Sequence, residues 1–141
     1  ISVDIYIIYY KIYIMSKIGL GIVTCNRPEF LTNCIDSIDL QKVDVRVIVN
    51  DGDLAVSHPS FNIIKNDTNL GVGKSKNKIL KYLFDQGCDY IFMLEDDMLI
   101  LDNNVFEKYK RPGILGPRNG IGFNILYSSF SFISKKTSKH G

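Results

Sequence analysis

Short, β-rich apolar runs take turns with stretches of helical periodicity along this 141-residue chain, and that alternation limits it to few architectures. The run IGLGIVT, residues 18–24, reads as a strand. Asn26-Arg27-Pro28-Glu29 then opens a helix, with Asn26 or Arg27 near the cap and Pro28 in the first turn, where its missing N–H leaves no bond unmade. Leu31, Cys34, Ile35 and Ile38 form the apolar stripe of that helix. Residues 45–49 read as a second strand, closed by the turn signal Asn50-Asp51-Gly52, and residues 62–65 as a short third. A helix is expected from about Gly73 to Gln86, with Ile79, Leu80, Leu83 and Phe84 inward and Gly87 as terminator. Residues 90–94 read as a fourth strand, apolar on both faces, and residues 103–110 as a last helix capped by Asp102. Strands alternating with helices imply βαβ units and a mainly parallel sheet, an α/β three-layer sandwich of Rossmann-like form. A chain of this length suffices for one domain, burying roughly 68–70% of its unfolded surface.

Charge is divided unevenly. Residues 1–107 hold 10 Lys/Arg and all 15 Asp/Glu, a balance of −5, whereas residues 108–141 hold 7 Lys/Arg and no acid, a balance of +7. The overall +2 argues against a dedicated nucleic-acid binder. No apolar run reaches the ~18 residues needed to span a bilayer. Cys25, Cys34 and Cys88 have no CxxC spacing, and with only His58 and His140 they assemble no zinc site, so buried reduced thiols and a cytoplasmic setting are expected. Residues 1–14 contain ten Ile or Tyr and lack the layout of a signal peptide. They read either as an edge strand or, because Met15-Ser16-Lys17 resembles a natural start, as a non-native upstream segment.

In parallel sheets ligands sit beyond the carboxyl ends of the strands. Three polar clusters fall at those ends: Thr24-Cys25-Asn26-Arg27, Asn50-Asp51-Gly52-Asp53 and Glu95-Asp96-Asp97. Three consecutive carboxylates repel one another, and a hard cation such as Mg²⁺ or Mn²⁺ would compensate them while offsetting charge on a leaving diphosphate. A solvated acidic turn is the plainer reading of that triplet. Asp51 could accept a hydrogen bond from a base or ribose, or could simply form the turn before Gly52. The stretch from Asn69 to Asn77, NLGVGKSKN, opens the long helix with glycines and lysines suited to an anion. Gly73-Lys74-Ser75 fits the end of a Walker A loop, but Thr68 stands where its first glycine belongs.

Taken in order, IVTCNRPEFLTNCIDSI, VRVIVNDGD, NLGVGKSKNKIL and DYIFMLEDDM resemble the nucleotide-binding half of a family 2 glycosyltransferase of the GT-A fold, over about residues 17–110. The resemblance implies an inverting, metal-dependent transfer from a nucleotide-sugar donor, most often a UDP-sugar, to a glycan, lipid or protein hydroxyl. It places Thr24 and Arg27 beside the nucleotide. Asn50-Asp51 stands where the family has paired aspartates, one of which holds the uracil. Asn50 departs from that pair, so Asp51 is the expected contact to the base, and Lys76 stands where an Arg commonly faces base or phosphate. Glu95-Asp96-Asp97 matches the DXD motif, with Glu95 replacing the first Asp. Asp97 is then the expected contact to Mn²⁺ or Mg²⁺, Glu95 a second candidate, and Asp96 a donor-site residue.

Past residue 110 the resemblance ends. The family's catalytic base, an Asp or Glu, follows the metal motif, whereas here no acid follows Glu107. The expectation is therefore a truncated domain: residues 15–110 as the donor-binding part and 111–141 as an unmatched basic tail, with donor binding but no efficient transfer. The alternatives are a non-catalytic nucleotide-binding module and a P-loop NTPase. The tail could also serve as an arm for an anionic surface.

Overall fold

The computed structural model describes residues 3–7, 16–110, 114–115 and 124–127. Four strands run parallel: β1 (Ile18–Thr24), β2 (Val45–Asn50), β3 (Asn62–Lys65) and β4 (Tyr90–Glu95). Helix α1 (Pro28–Asp36) links β1 to β2, and α2 (Val72–Asp85) links β3 to β4. A one-turn helix, α3 (Val105–Lys108), follows β4, and two further strands, β5 (Ile114–Leu115) and β6 (Asn124–Tyr127), extend the sheet. The order is β3-β2-β1-β4-β6-β5, with β6 antiparallel to both β4 and β5. The α/β, mainly parallel architecture expected from the alternation is the one observed.

Side-chain alternation divides the core into two layers. Ile18, Leu20, Ile22, Ile48, Phe92 and Leu94 face α1 and α3, where Leu31, Cys34, Ile35, Val105 and Phe106 meet them. Val23, Val47, Val49, Ile91 and Met93 face Ile79, Leu80 and Leu83 of α2. Each fully buried aliphatic side chain contributes about 1.5–3 kcal/mol relative to exposure, so both helices are held chiefly by these faces. The glycines of IGLGIVT lie on the α2 side. A Cβ added at Gly21 would sit 2.1 Å from Ile79 Cγ2, so the missing side chain lets α2 close on β1.

Several boundaries differ from the sequence reading. Phe84 is 42% exposed rather than inward, because Leu80 and Leu83 already fill the sheet-facing side of the last α2 turns. The last helix covers only residues 105–108. Asp102 accepts the Asn104 N–H at 2.9 Å and holds a turn there instead of capping a longer helix. Leu40–Lys42 form a 3₁₀ turn that periodicity alone does not reveal. Residues 3–7 are helical and exposed, so they are not part of an edge strand, and the rest of the 1–14 segment lies outside the described residues. Of the basic tail, only residues 114–115 and 124–127 are described, and these are sheet strands.

Candidate functional site

After β1 the chain moves outward to β2 and β3, then returns to place β4 on the other side of β1. Adjacent connections therefore diverge between β1 and β4, leaving a crevice at the carboxyl ends of those strands. Register brings the polar clusters together there, with Thr24 opposite Asn50 and Val23 opposite Glu95.

Asp96 lies at the centre, its side chain fully buried. It accepts the Thr24 hydroxyl at 2.8 Å and Arg27 Nε at 3.2 Å, and it forms a second, shorter contact with Arg27 Nη2. Arg27 caps α1 with its backbone while its guanidinium lies 5.3 Å from the centre of the Phe30 ring. A charge-assisted, two-pronged Arg–carboxylate pair fixes both groups. Asp97, next in sequence, is half exposed and meets Arg27 Nη1 only at 3.8 Å, beyond hydrogen-bond reach. Glu95 is held by Lys76 of α2, whose Nζ lies 2.8 Å from Oε1.

Asp51 occupies a different environment. It is buried, and its carboxylate accepts the Leu70 N–H at 2.7 Å, the Gly71 N–H at 3.0 Å and the Asn66 amide at 2.8 Å. Burial pushes its pKa up, but those hydrogen bonds and the charge of Lys65 outweigh burial and leave the carboxyl below its ordinary 3.8. It thus ties down the loop that leads into α2, whose cap residue Gly71 has a φ of 88° and no capping side chain. Asn50 is equally committed. Its amide donates to the Leu54 carbonyl at 2.8 Å and its oxygen accepts the Gly52 N–H at 3.0 Å. Thr24, Arg27, Asp96 and Asp97 therefore converge at the β1/β4 crevice, Lys76 with Glu95 borders it, and Asn50 and Asp51 shape the neighbouring loops.

Asn66 was not singled out in the sequence, and Asn26 and Ser75 were read there as a helix-cap or cluster residue and as the end of a Walker-type loop. Asn66 is fully buried and joins Asp51, the Ser75 hydroxyl at 3.1 Å and Lys78 Nζ at 2.6 Å. Its signal was its place just after β3, the same position the other clusters hold on their strands. Asn26, with a φ of 53°, accepts the N–H groups of Asp53 and Leu54 at 2.7 and 3.0 Å. Ser75, also fully buried, accepts from Asn66. That bond, and the Asp51 carboxylate held by the Leu70 and Gly71 N–H groups of the loop before α2, speak against a phosphate-cradling P-loop.

Among the described residues, no group of three or more His, Cys, Asp or Glu side chains gathers as a ready metal cage. A cation bound through one carboxylate and completed by phosphate and water oxygens still fits, because half-exposed Asp97 keeps open acceptor capacity. Glu95 and Asp96 already hold cationic partners. Burial pushes the Cys34 thiol up to about 12, helped by the Asp96 and Asp97 charges, which keeps it an inert core group; Cys88 rises to about 11 mainly through burial. Cys25 departs from the expectation of burial, being partly exposed at the site edge.

No known family model matches the sequence, and no curated protein matches it. Solved structures do. S. aureus TarS 1-349 superposes with a TM-score of 0.51 at 18% identity, covering 65% of this chain and 30% of that one. The mannosyltransferase PcManGT from Pyrobaculum calidifontis, in complex with GDP-Man and Mn²⁺, superposes with a TM-score of 0.50 at 12% identity, covering 76% and 39%. The fold is glycosyltransferase-like. At these identities the likeness speaks for the GT-A-like fold, and this chain spans about a third of the length of those structures. No helix among the described residues is long and apolar enough to cross a membrane.

Proposed function

We propose that residues 15–110 form the nucleotide-sugar-binding part of a family 2 glycosyltransferase of the inverting kind. The observation that carries this reading is the meeting of Thr24, Arg27, buried Asp96 and half-exposed Asp97 at the β1/β4 switch point. Asp97 would hold Mn²⁺ or Mg²⁺. When bound, the cation offsets the charge that develops on a leaving nucleoside diphosphate. Arg27 is oriented by Asp96 and keeps 43% of its side chain exposed, so it can meet phosphate. Asp51 sets the α2 loop that forms the wall beside the base. The donor proposed is a UDP-sugar, with a GDP-sugar the second choice because PcManGT was solved with GDP-Man. The acceptor is a glycan, lipid or protein hydroxyl, and the free, buried Cys34 and Cys88 thiols suit a reducing cytoplasm.

Isothermal titration of the protein with UDP and with GDP, in Mn²⁺ and in EDTA, tests the reading. Saturable binding strengthened at least tenfold by Mn²⁺ is expected. No binding of either nucleotide in either buffer would overturn it.

A further inference from the structure

Two cations and three carboxylates meet at this crevice, yet they are paired unequally. Asp96 is neutralised by Arg27, which still keeps 43% of its side chain exposed. Lys76 differs: its side chain is only 12% exposed, and its ammonium rests on Glu95 at 2.8 Å. The pair spans from the second turn of α2 to the last residue of β4, one residue before Asp96. Lys76 is thus a cation beside the place proposed for a diphosphate, but its charge is already engaged by a carboxylate.

We propose that the Lys76–Glu95 ion pair is a latch that withholds Lys76 from the donor's diphosphate and so makes nucleotide binding depend on the divalent cation. This rests on the donor-site reading above. With Glu95 in place, an incoming diphosphate meets a carboxylate as well as the ammonium, and only an added cation turns the balance attractive. Without that carboxylate, Lys76 is free to face the phosphates itself. Glu95 is then a positioning residue acting through Lys76, and Asp97 is left as the metal contact.

Titration of UDP and GDP in EDTA and in Mn²⁺ against wild type, Glu95→Gln, Lys76→Met and the double variant tests the latch. Glu95→Gln is expected to tighten binding in EDTA by about three- to tenfold, shrinking the Mn²⁺ effect. That gain should vanish in the double variant and survive when Lys76→Arg replaces Lys76→Met. Glu95→Asp, which draws the carboxylate back by one methylene, should move affinity the same way by less. Both helix and strand stay anchored by Ile79, Leu80 and Leu83, and melting curves check that each variant folds. Unchanged EDTA affinity in Glu95→Gln overturns the latch, as does a gain that persists without Lys76, which would mark general charge relief. If wild type binds neither nucleotide in either buffer, the donor-site reading fails and takes the latch with it.

Discussion

Asp51 and Asp97 lie on the same edge of one sheet, both in loops that follow strands, yet their surroundings have little in common. Asp51 is buried and takes hydrogen bonds from two backbone N–H groups and the Asn66 amide. Asp97 is half exposed and has a cation only at 3.8 Å. A carboxylate whose lone pairs are largely used by its own chain organises loops. One left open beside a guanidinium can take a ligand. The sequence offered both as donor-site candidates, each an acid after an apolar strand, with Asp97 the stronger, and hydrogen-bond saturation separates them in the structure.

The largest effect expected from breaking that contrast comes at Asp51. Asp51→Asn sets an amide against N–H groups that need an acceptor, and a loss of about 2–4 kcal/mol in denaturant unfolding is expected. The same carboxyl should shape the acid limb of stability. Its folded pKa lies below its ordinary 3.8, so its contribution is complete above that value and is lost as pH falls through the folded value. Melting temperature should therefore drop below about pH 4 in wild type, and that part of the drop should be missing in Asp51→Asn.

Asp96 is intermediate, buried but paired with a partly exposed Arg27. Asp96→Asn should cost about 1–3 kcal/mol, softened by the water that still reaches Arg27, and should loosen nucleotide binding as Arg27 loses its anchor. Unchanged melting in this variant would argue that Thr24 and Arg27 hold the crevice without it. Asp97→Ala should alter stability least, by no more than about 0.5 kcal/mol, because the side chain supports no buried group.

Strands β1 and β3 have the bounds that their apolar runs suggest, and β2 and β4 extend one residue further. Burial on both faces writes itself into the composition of β1, β2 and β4, which is why they were legible, whereas β3, with no fully buried residue, showed only as a short Ile-Ile run. Strands β5 and β6 were not legible, because β6 is defined by pairing with β4, and β5 by pairing with β6, across a long stretch of chain that carries no clear period. The spacing of Gly19 and Gly21 was visible, but its purpose, the close approach of Ile79 and Cys88, needed the fold. At the site, the three polar clusters announced the edge. What they could not announce was partnership: that Asn66 ties Asp51 to Ser75 and Lys78, or that Lys76 reaches Glu95. Such bonds join residues from different elements, and no local pattern encodes them.

The central claim is that Asp97, unlike Asp51, is free for chemistry. The most direct measurement is titration of UDP and GDP with Mn²⁺ against Asp97→Ala, read beside its melting curve. The expected result is an unchanged melting temperature with the Mn²⁺ enhancement of nucleotide binding abolished. An Asp97→Ala protein that keeps the full Mn²⁺ enhancement, or that loses stability as Asp51→Asn is expected to, would contradict it.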